Sequence, residues 1–251
     1  MTQMIHQMRA HKWRQRLIGD IKMINQLRKT TIVVPNIIKE QDTMLRDLKR
    51  TFPEIEWFNE REHIGNITSI LKGFAHANPT IGYAQGIAFI VFILYYVYYN
   101  DSKEHVLHDT FYSLHTIISH IRPFIPRDSS DSRIQNWIDS AASIIRLKFF
   151  HNHPTLALKL RDTIHIKLLI IQTGPALFAN WFDFEDTQLI WDYLFSTENI
   201  FENVLDIIAG MIVSNKEVYL HLDTEKVLQI TGLRSFYRVA SIVSYAHTLT
   251  R

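Results

Sequence analysis

Thirteen consecutive apolar and aromatic residues, Ile87–Tyr99 (IAFIVFILYYVYY), decide how this chain folds. No formally charged residue occurs between residues 77 and 100. A helix that spans a bilayer needs about 20 apolar residues, and this stretch is about two-thirds as long. Polar and turn-forming residues that do not belong in hydrocarbon precede it: Asn78, Pro79, Gly82, Gln85 and Gly86. We therefore predict that Ile87–Tyr99 is a helix in the core of a helical domain and not a membrane segment.

The composition around this stretch is that of a globular protein. The chain has 251 residues, of which 47% are hydrophobic and 21% charged, and its formal net charge is +2. This charge balance argues against a nucleic-acid binder that neutralises phosphates. The absence of cysteine excludes a disulfide scaffold, a zinc ribbon, an iron–sulfur site and a cysteine nucleophile, and it fits a reducing compartment. Only eight glycines and seven prolines favour long helices over a β-sandwich.

Apolar residues at spacings of three and four predict helices along most of the chain. The predicted helices are residues 42–49, 60–76, 87–99, 103–121, 134–150, one opened by Pro154, 164–181, 186–195, 201–214 and 224–230, the last capped by Thr224. In the first of these, Met44, Leu45 and Leu48 form the predicted inner face. Residues 127–133 (RDSSDSR) are the predicted loop. With no repeat and no linker, the pattern indicates one all-α domain over residues 1–251.

Motifs for independent catalysis do not occur in the sequence. It contains no G-x-S-x-G, no H-E-x-x-H and no glycine-rich phosphate loop, so we expect no nucleotide site on this chain. Two histidine pairs, His105 with His108 and His151 with His153, could each supply two metal ligands. Neither pair has a carboxylate cluster at helical spacing, so we predict no metal site.

Two short segments can carry chemistry. Asp47 stands one helical turn before Arg50, where its carboxylate can fix the direction of the guanidinium. The simpler alternative is a surface ion pair. Gln85 lies beside Gly86 at the start of the apolar stretch, where a glutamine suits the orientation of a water molecule better than it suits a core. The simpler alternative there is a helix N-terminus beside a tight turn.

Together with three further segments, these resemble one family. The segments are Arg9-x-x-x-Trp13, residues 47–53 (DLKRTFP), residues 78–86 (NPTIGYAQG), residues 178–182 (FANWF) and residues 190–195 (IWDYLF). In this order they are similar to the R-x-x-x-W, I-x-x-D-x-x-R, Y-x-Q-G, W-F and I-W-D motifs of the TBC domain of Rab GTPase-activating proteins. The resemblance extends from residue 9 to about residue 220. Met44 replaces the usual isoleucine, which conserves volume, and Ile87-Ala88 replaces a frequent Met-Asn.

The resemblance implies an all-α, V-shaped array of helices that activates a GTPase in trans. Arg50 would be the arginine finger and Gln85 the glutamine finger. Asp47 would orient Arg50, while Tyr83 and Gly86 would hold the loop and admit the partner's backbone. The remaining motif residues would be structural: Arg9, Trp13, Trp181, Trp191 and Asp192.

The implied partner is a GTP-bound Rab, which brings GTP and Mg²⁺, so the chain would need no cofactor of its own. The expected role is regulation of vesicle traffic, in the cytoplasm or peripherally on endomembranes through the Rab. The short region after residue 230 implies short or divergent final helices, and the early position of Arg9 implies no targeting domain upstream. A Rab-binding scaffold or effector without catalysis is the main alternative, although intact Arg50 and Gln85 favour activity. A metal-dependent or membrane-embedded helical protein is the second.

Overall fold

The computed structural model describes residues 2–125, 132–221, 223, 225–227 and 237–249. Within these ranges the regular secondary structure is helical and contains no strand, which confirms the all-α prediction. The backbone divides into two compact units, residues 1–127 and 128–251. The prediction of a single domain over the whole chain stays a prediction.

The first unit is built around the apolar helix. Its helices are α1 (Thr2–Leu17), α2 (Ile21–Leu27), α3 (Gln41–Arg50), α4 (Arg61–Ala77), α5 (Ile87–Tyr99) and α6 (Val106–Ile121), with 3₁₀ turns at Glu56–Asn59 and Arg122–Phe124. Ten of the thirteen α5 side chains are buried, and α5 packs against α1, α3, α4 and α6. The prediction of a core helix with these bounds is therefore confirmed. Among the described helices, none has both the length and the apolar character that crossing a bilayer requires.

Helix α3 turns a carboxylate toward the core. Met44 and Leu48 are buried as predicted, but Leu45 is 41% exposed. Asp47 is the third buried residue of α3. At 100° per residue, positions 44, 47 and 48 share one face of the helix, whereas position 45 is rotated away from it. The prediction for Leu45 was wrong because the inner face of α3 follows the 44, 47 and 48 spacing.

Buried ion pairs fasten the two N-terminal helices of this unit to α6. The Arg28 guanidinium binds the Asp109 carboxylate through two hydrogen bonds of 2.8 and 2.6 Å. The Arg14 Nε lies 2.7 Å from the same carboxylate, and Arg14 also pairs with Asp101. Asp109 is 1% exposed, so its charge is shielded from water and is paired with these two arginines.

The second unit has its own core helix. Its helices are α7 (Ser132–Phe150), α8 (Pro154–Lys159), α9 (Ile164–Thr173), α10 (Phe184–Leu194), α11 (Ile200–Val213), α12 (Lys216–His221) and α13 (Val239–Leu249), with a 3₁₀ turn at Gly174–Ala176. Helix α11 is buried at twelve of its fourteen positions and packs against α7 and α13. Helix α13 is eleven residues long and occupies the region in which we expected short or divergent final helices.

Three of the predicted segments in this part of the chain end differently in the structure or lie partly outside the described residues. The helix predicted over residues 164–181 ends at Thr173, because Pro175 lacks a backbone N–H, and Leu177 and Phe178 then have positive φ angles of 48° and 68°. Most of the predicted loop 127–133 lies outside the described residues, and its last two residues begin α7. Of the predicted helix 224–230, residues 225–227 are helical, whereas Thr224 and residues 228–230 lie outside the described residues.

Candidate functional site

The site begins at the C-terminal end of α3, where the helix stops sharply after Arg50. The Thr51 hydroxyl donates a 2.7 Å hydrogen bond to the Asp47 carbonyl, and Thr51 is buried. Phe52 follows with a φ of 48°, which is unusual for a residue with a side chain, and it is buried against Phe89 and Phe92. This ending fixes the backbone directly after Arg50, whose side chain is 51% exposed.

The Asp47 carboxylate joins two separate segments of the chain. Its Oδ1 lies 2.5 Å from an Arg50 amino group. Its Oδ2 accepts hydrogen bonds from the Tyr83 hydroxyl at 2.7 Å and from the Gly86 N–H at 3.0 Å. Burial and the Asp47 carboxylate raise the pKa of the Tyr83 phenol, so that this hydroxyl remains a donor. The structure therefore brings together four of the residues that the sequence singled out.

Gln85 lies between the two residues that bind Asp47. Tyr83 is buried, Gly86 is half-buried and Gln85 itself is exposed. Gly86 has a φ of 97°, a left-handed conformation that glycine adopts without strain, and α5 begins immediately after it. The loop is thus held from α3 on both sides of Gln85, through the Tyr83 side chain and the Gly86 backbone, while Gln85 itself remains exposed to solvent.

The sequence alone did not predict that Asp47 holds the loop that contains Gln85. From the sequence we expected Asp47 to orient Arg50 only. In the structure the same carboxylate also binds the loop, at Tyr83 and Gly86, which lie 36 and 39 residues further along the chain. One signal could have revealed it. Asp47 shares the inner face of α3 with Met44 and Leu48, and a buried carboxylate needs hydrogen-bond donors.

The other motif residues lie apart from this site in the sequence and differ in burial. Trp13 is buried, and the Arg9 guanidinium lies 5.9 Å from the centre of its ring. Trp181 and Trp191 are buried in the second unit, where the Trp191 indole N–H donates a 2.8 Å hydrogen bond to the Leu177 carbonyl. The Asp192 side chain is exposed on α10. The structural roles predicted for these residues stay predictions.

The two histidines of the first pair, His105 and His108, lie near other protein groups. The His108 Nε2 donates a 2.8 Å hydrogen bond to the Thr30 carbonyl, and the His105 Nε2 lies 3.7 Å from a Glu104 oxygen. Within the described ranges, no three histidine, aspartate or glutamate side chains are grouped so that they could hold a metal ion.

Comparison with known proteins places these features in a family. The Rab-GTPase-TBC domain model matches residues 7–220. TBC1 domain family member 13 of Homo sapiens and that of Mus musculus are each 29% identical over 164 residues, which is 62% of this chain and 40% of the relative. The Ecotropic viral integration site 5 ortholog of Drosophila melanogaster is 32% identical over 94 residues, covering 36% of this chain and 11% of that protein. The match thus spans about two-fifths of the length of the first two relatives and about one-ninth of the third.

A solved structure shares the fold. The Ypt/Rab-GAP domain of Gyp1p matches with a TM-score of 0.70 over 98% of this chain and 92% of that chain, at 15% sequence identity. The family model covers most of the chain, including Asp47, Arg50 and the Tyr83–Gly86 segment. The chain belongs to the Rab-GTPase-TBC domain family.

Proposed function

We propose that this chain accelerates GTP hydrolysis by a Rab-family GTPase, to which it supplies Arg50 and Gln85 in trans. One observation carries the proposal. The buried Asp47 carboxylate holds the Arg50 guanidinium and also the loop on either side of Gln85, through the Tyr83 hydroxyl and the Gly86 backbone N–H. A single group thereby fixes a cation and an amide, the two side-chain types that hydrolysis of a γ-phosphate needs. Family membership and the Rab-GAP domain with the same fold support it.

Arg50 suits the stabilisation of charge on the transferred phosphoryl group. A guanidinium is permanently charged and can bind phosphate oxygens with two parallel N–H groups. Arg50 is half-exposed, and the Asp47 oxygen at 2.5 Å restricts its orientation without burying it. A group that is already oriented loses little conformational freedom when the partner docks, so more of its interaction is available to the transition state.

Gln85 suits the orientation of the attacking water. Its amide carries both a donor and an acceptor, so it can bind a water and a phosphate oxygen at once. Many GTPases use a glutamine of their own for this step. A Gln85 supplied in trans would replace it. The partner would bring GTP and Mg²⁺, so this chain would act as an activator with no nucleotide site of its own, in the regulation of vesicle traffic and at membranes through the Rab.

The test is single-turnover phosphate release from a panel of GTP-loaded Rab proteins. In the best pair, Arg50→Ala should lower the stimulated rate by roughly 10³–10⁵, the range found for arginine fingers. Arg50→Lys should rescue poorly, because an ammonium cannot reproduce the planar fork. Arg46→Ala is the matched control, since Arg46 is an exposed arginine one turn earlier on the same helix.

Gln85→Ala should also slow hydrolysis sharply while Rab binding changes less. A Rab whose own catalytic glutamine is replaced should still respond to the wild-type chain. The double variant should be little slower than the worse single variant, because residues that act as a unit are non-additive. Rab binding with unchanged hydrolysis in both single variants would refute the two-finger mechanism and favour a scaffold.

A further inference from the structure

A second carboxylate, from the residue that precedes α3, lies against the same loop. Glu40 immediately precedes α3, and its Oε2 accepts a long, 3.5 Å hydrogen bond from the Tyr83 backbone N–H. Among the described residues, its side chain makes no capping hydrogen bond to the helix that it precedes. The Glu40 carboxylate is therefore directed at the loop and not at the first turn of α3.

Gly82 allows this approach. It has a φ of 61°, and a Cβ atom at this position would lie 2.8 Å from the Glu40 Oε1 and 3.0 Å from its Oε2. Real Cβ atoms do not come this close to oxygen, so a side chain at position 82 would push the carboxylate away. The loop backbone and the Glu40 carboxylate are in direct contact because residue 82 is a glycine.

The loop is thus held at two places, by α3 and by the residue that precedes it. Glu40 contacts the backbone at Gly82 and Tyr83, while Asp47 binds the Tyr83 hydroxyl and the Gly86 N–H. The two carboxylates are seven residues apart, about two helical turns, so α3 spans the loop from its start to its end. Gln85 lies within the span that they hold.

We propose that Glu40 is a positioning residue for Gln85, a role that rests on the proposed function. Asp47 binds Arg50 as well as the loop, whereas the contacts of Glu40 described above are to the loop alone. Loss of Glu40 should therefore act on hydrolysis through Gln85 and leave Arg50 in place. A loop with more freedom presents the Gln85 amide in the productive orientation for a smaller fraction of the time.

The experiment compares Glu40→Ala and Glu40→Gln with Asp42→Ala, a neighbouring exposed carboxylate on α3. Glu40→Ala should lower the stimulated rate at saturating activator roughly 2- to 10-fold, the effect of one hydrogen bond, while the half-saturating concentration stays unchanged. Glu40→Gln should restore most of the rate, because an amide oxygen can accept from the Tyr83 N–H. Asp42→Ala should match the wild type.

Coupling to Gln85 separates positioning from a general structural role. In a Gln85→Ala background, Glu40→Ala should cause no further loss, because there is no amide left to position. In an Asp42→Ala background, where Arg50 and Gln85 are both intact, Glu40→Ala should lower the rate by the same factor as in the wild type. The same fold-loss from Glu40→Ala with and without Gln85 would overturn the inference.

Hydrogen exchange at the Tyr83 amide gives a readout that does not depend on activity. Exchange should be faster in Glu40→Ala than in Asp42→Ala, and unchanged exchange would overturn the inference. A wild-type chain that accelerates no Rab would refute the proposed function and with it the positioning role of Glu40. An active wild type with an equally active Glu40→Ala would refute the role of Glu40 alone.

Discussion

Two substitutions at Asp47 should separate its contact with Arg50 from its contacts with the loop. In Asp47→Asn the remaining carbonyl oxygen can take the place of Oδ2 and accept from the Tyr83 hydroxyl and the Gly86 N–H. The new NH₂ group then faces Arg50 and cannot accept from it. Asp47→Ala removes both sets of contacts. We expect both variants to slow stimulated hydrolysis, but only Asp47→Ala to destabilise the fold strongly.

The contacts of Asp47 determine how much the two substitutions should differ in their effect on the free energy of unfolding. The Arg50 side chain is 51% exposed, so loss of its ion pair in Asp47→Asn should cost at most about 1 kcal/mol. Asp47→Ala leaves the buried Tyr83 hydroxyl and the half-buried Gly86 N–H without their acceptor. A buried donor left in this way costs about 1–3 kcal/mol, so the free energy of unfolding should fall by about 2–4 kcal/mol.

Urea-induced unfolding followed by circular dichroism measures this difference, with Asp42→Ala as the control for loss of an exposed carboxylate from α3. The unfolding midpoint should rank wild type and Asp42→Ala highest, then Asp47→Asn, then Asp47→Ala. Equal midpoints for the two Asp47 variants would show that the bonds to the loop contribute nothing to stability. That result would refute the view that Asp47 fastens the loop to α3.

Two further predictions concern the first unit. Leu94→Asp should unfold the protein, because Leu94 is fully buried in α5 and an unpaired buried charge costs several kcal/mol. The control Leu45→Asp, at an exposed position, should remain folded. Circular dichroism distinguishes the two outcomes. Burial lowers the pKa of His115 in the folded protein. As the pH drops below about 6.5, the unfolded chain therefore binds a proton at His115 before the folded protein does, and the free energy of unfolding falls. In His115→Phe, the free energy of unfolding should fall less between pH 7.5 and pH 5 than it does in the wild type. An equal fall in the two proteins would show that His115 does not contribute to the pH dependence of stability.

The core helices could be predicted closely wherever the sequence marks their ends. Helix α5 has the predicted bounds, because Gly86 and Asn100 flank a segment that is apolar on every face. Helix α9 was predicted too long, because the apolar spacing continues past its true end at Thr173. The break comes at Gly174-Pro175, which the sequence shows but which apolar periodicity alone does not take into account.

The site could be predicted as a set of residues but not as an arrangement. The motifs identify Asp47, Arg50, Tyr83 and Gly86, and the structure brings them into contact. The motifs do not reveal that one carboxylate serves both segments, because that requires knowledge of how α3 lies against a loop more than thirty residues away. Glu40 belongs to none of the motifs, and its contact with Gly82 depends on the φ angle of that glycine.

The ion pairs of Asp109 have a consequence for how the chain acquires its structure during synthesis. Arg28 leaves the ribosome 81 residues before the carboxylate that it binds, and Arg14 emerges earlier still. Helices α1 and α2 therefore cannot reach their final attachment until α6 has been made, whatever helical structure they form on their own. A fragment that begins at α3 would lack both guanidinium groups that pair with Asp109. Helices α1 and α2 are thus translated before α6 but complete their docking only after it.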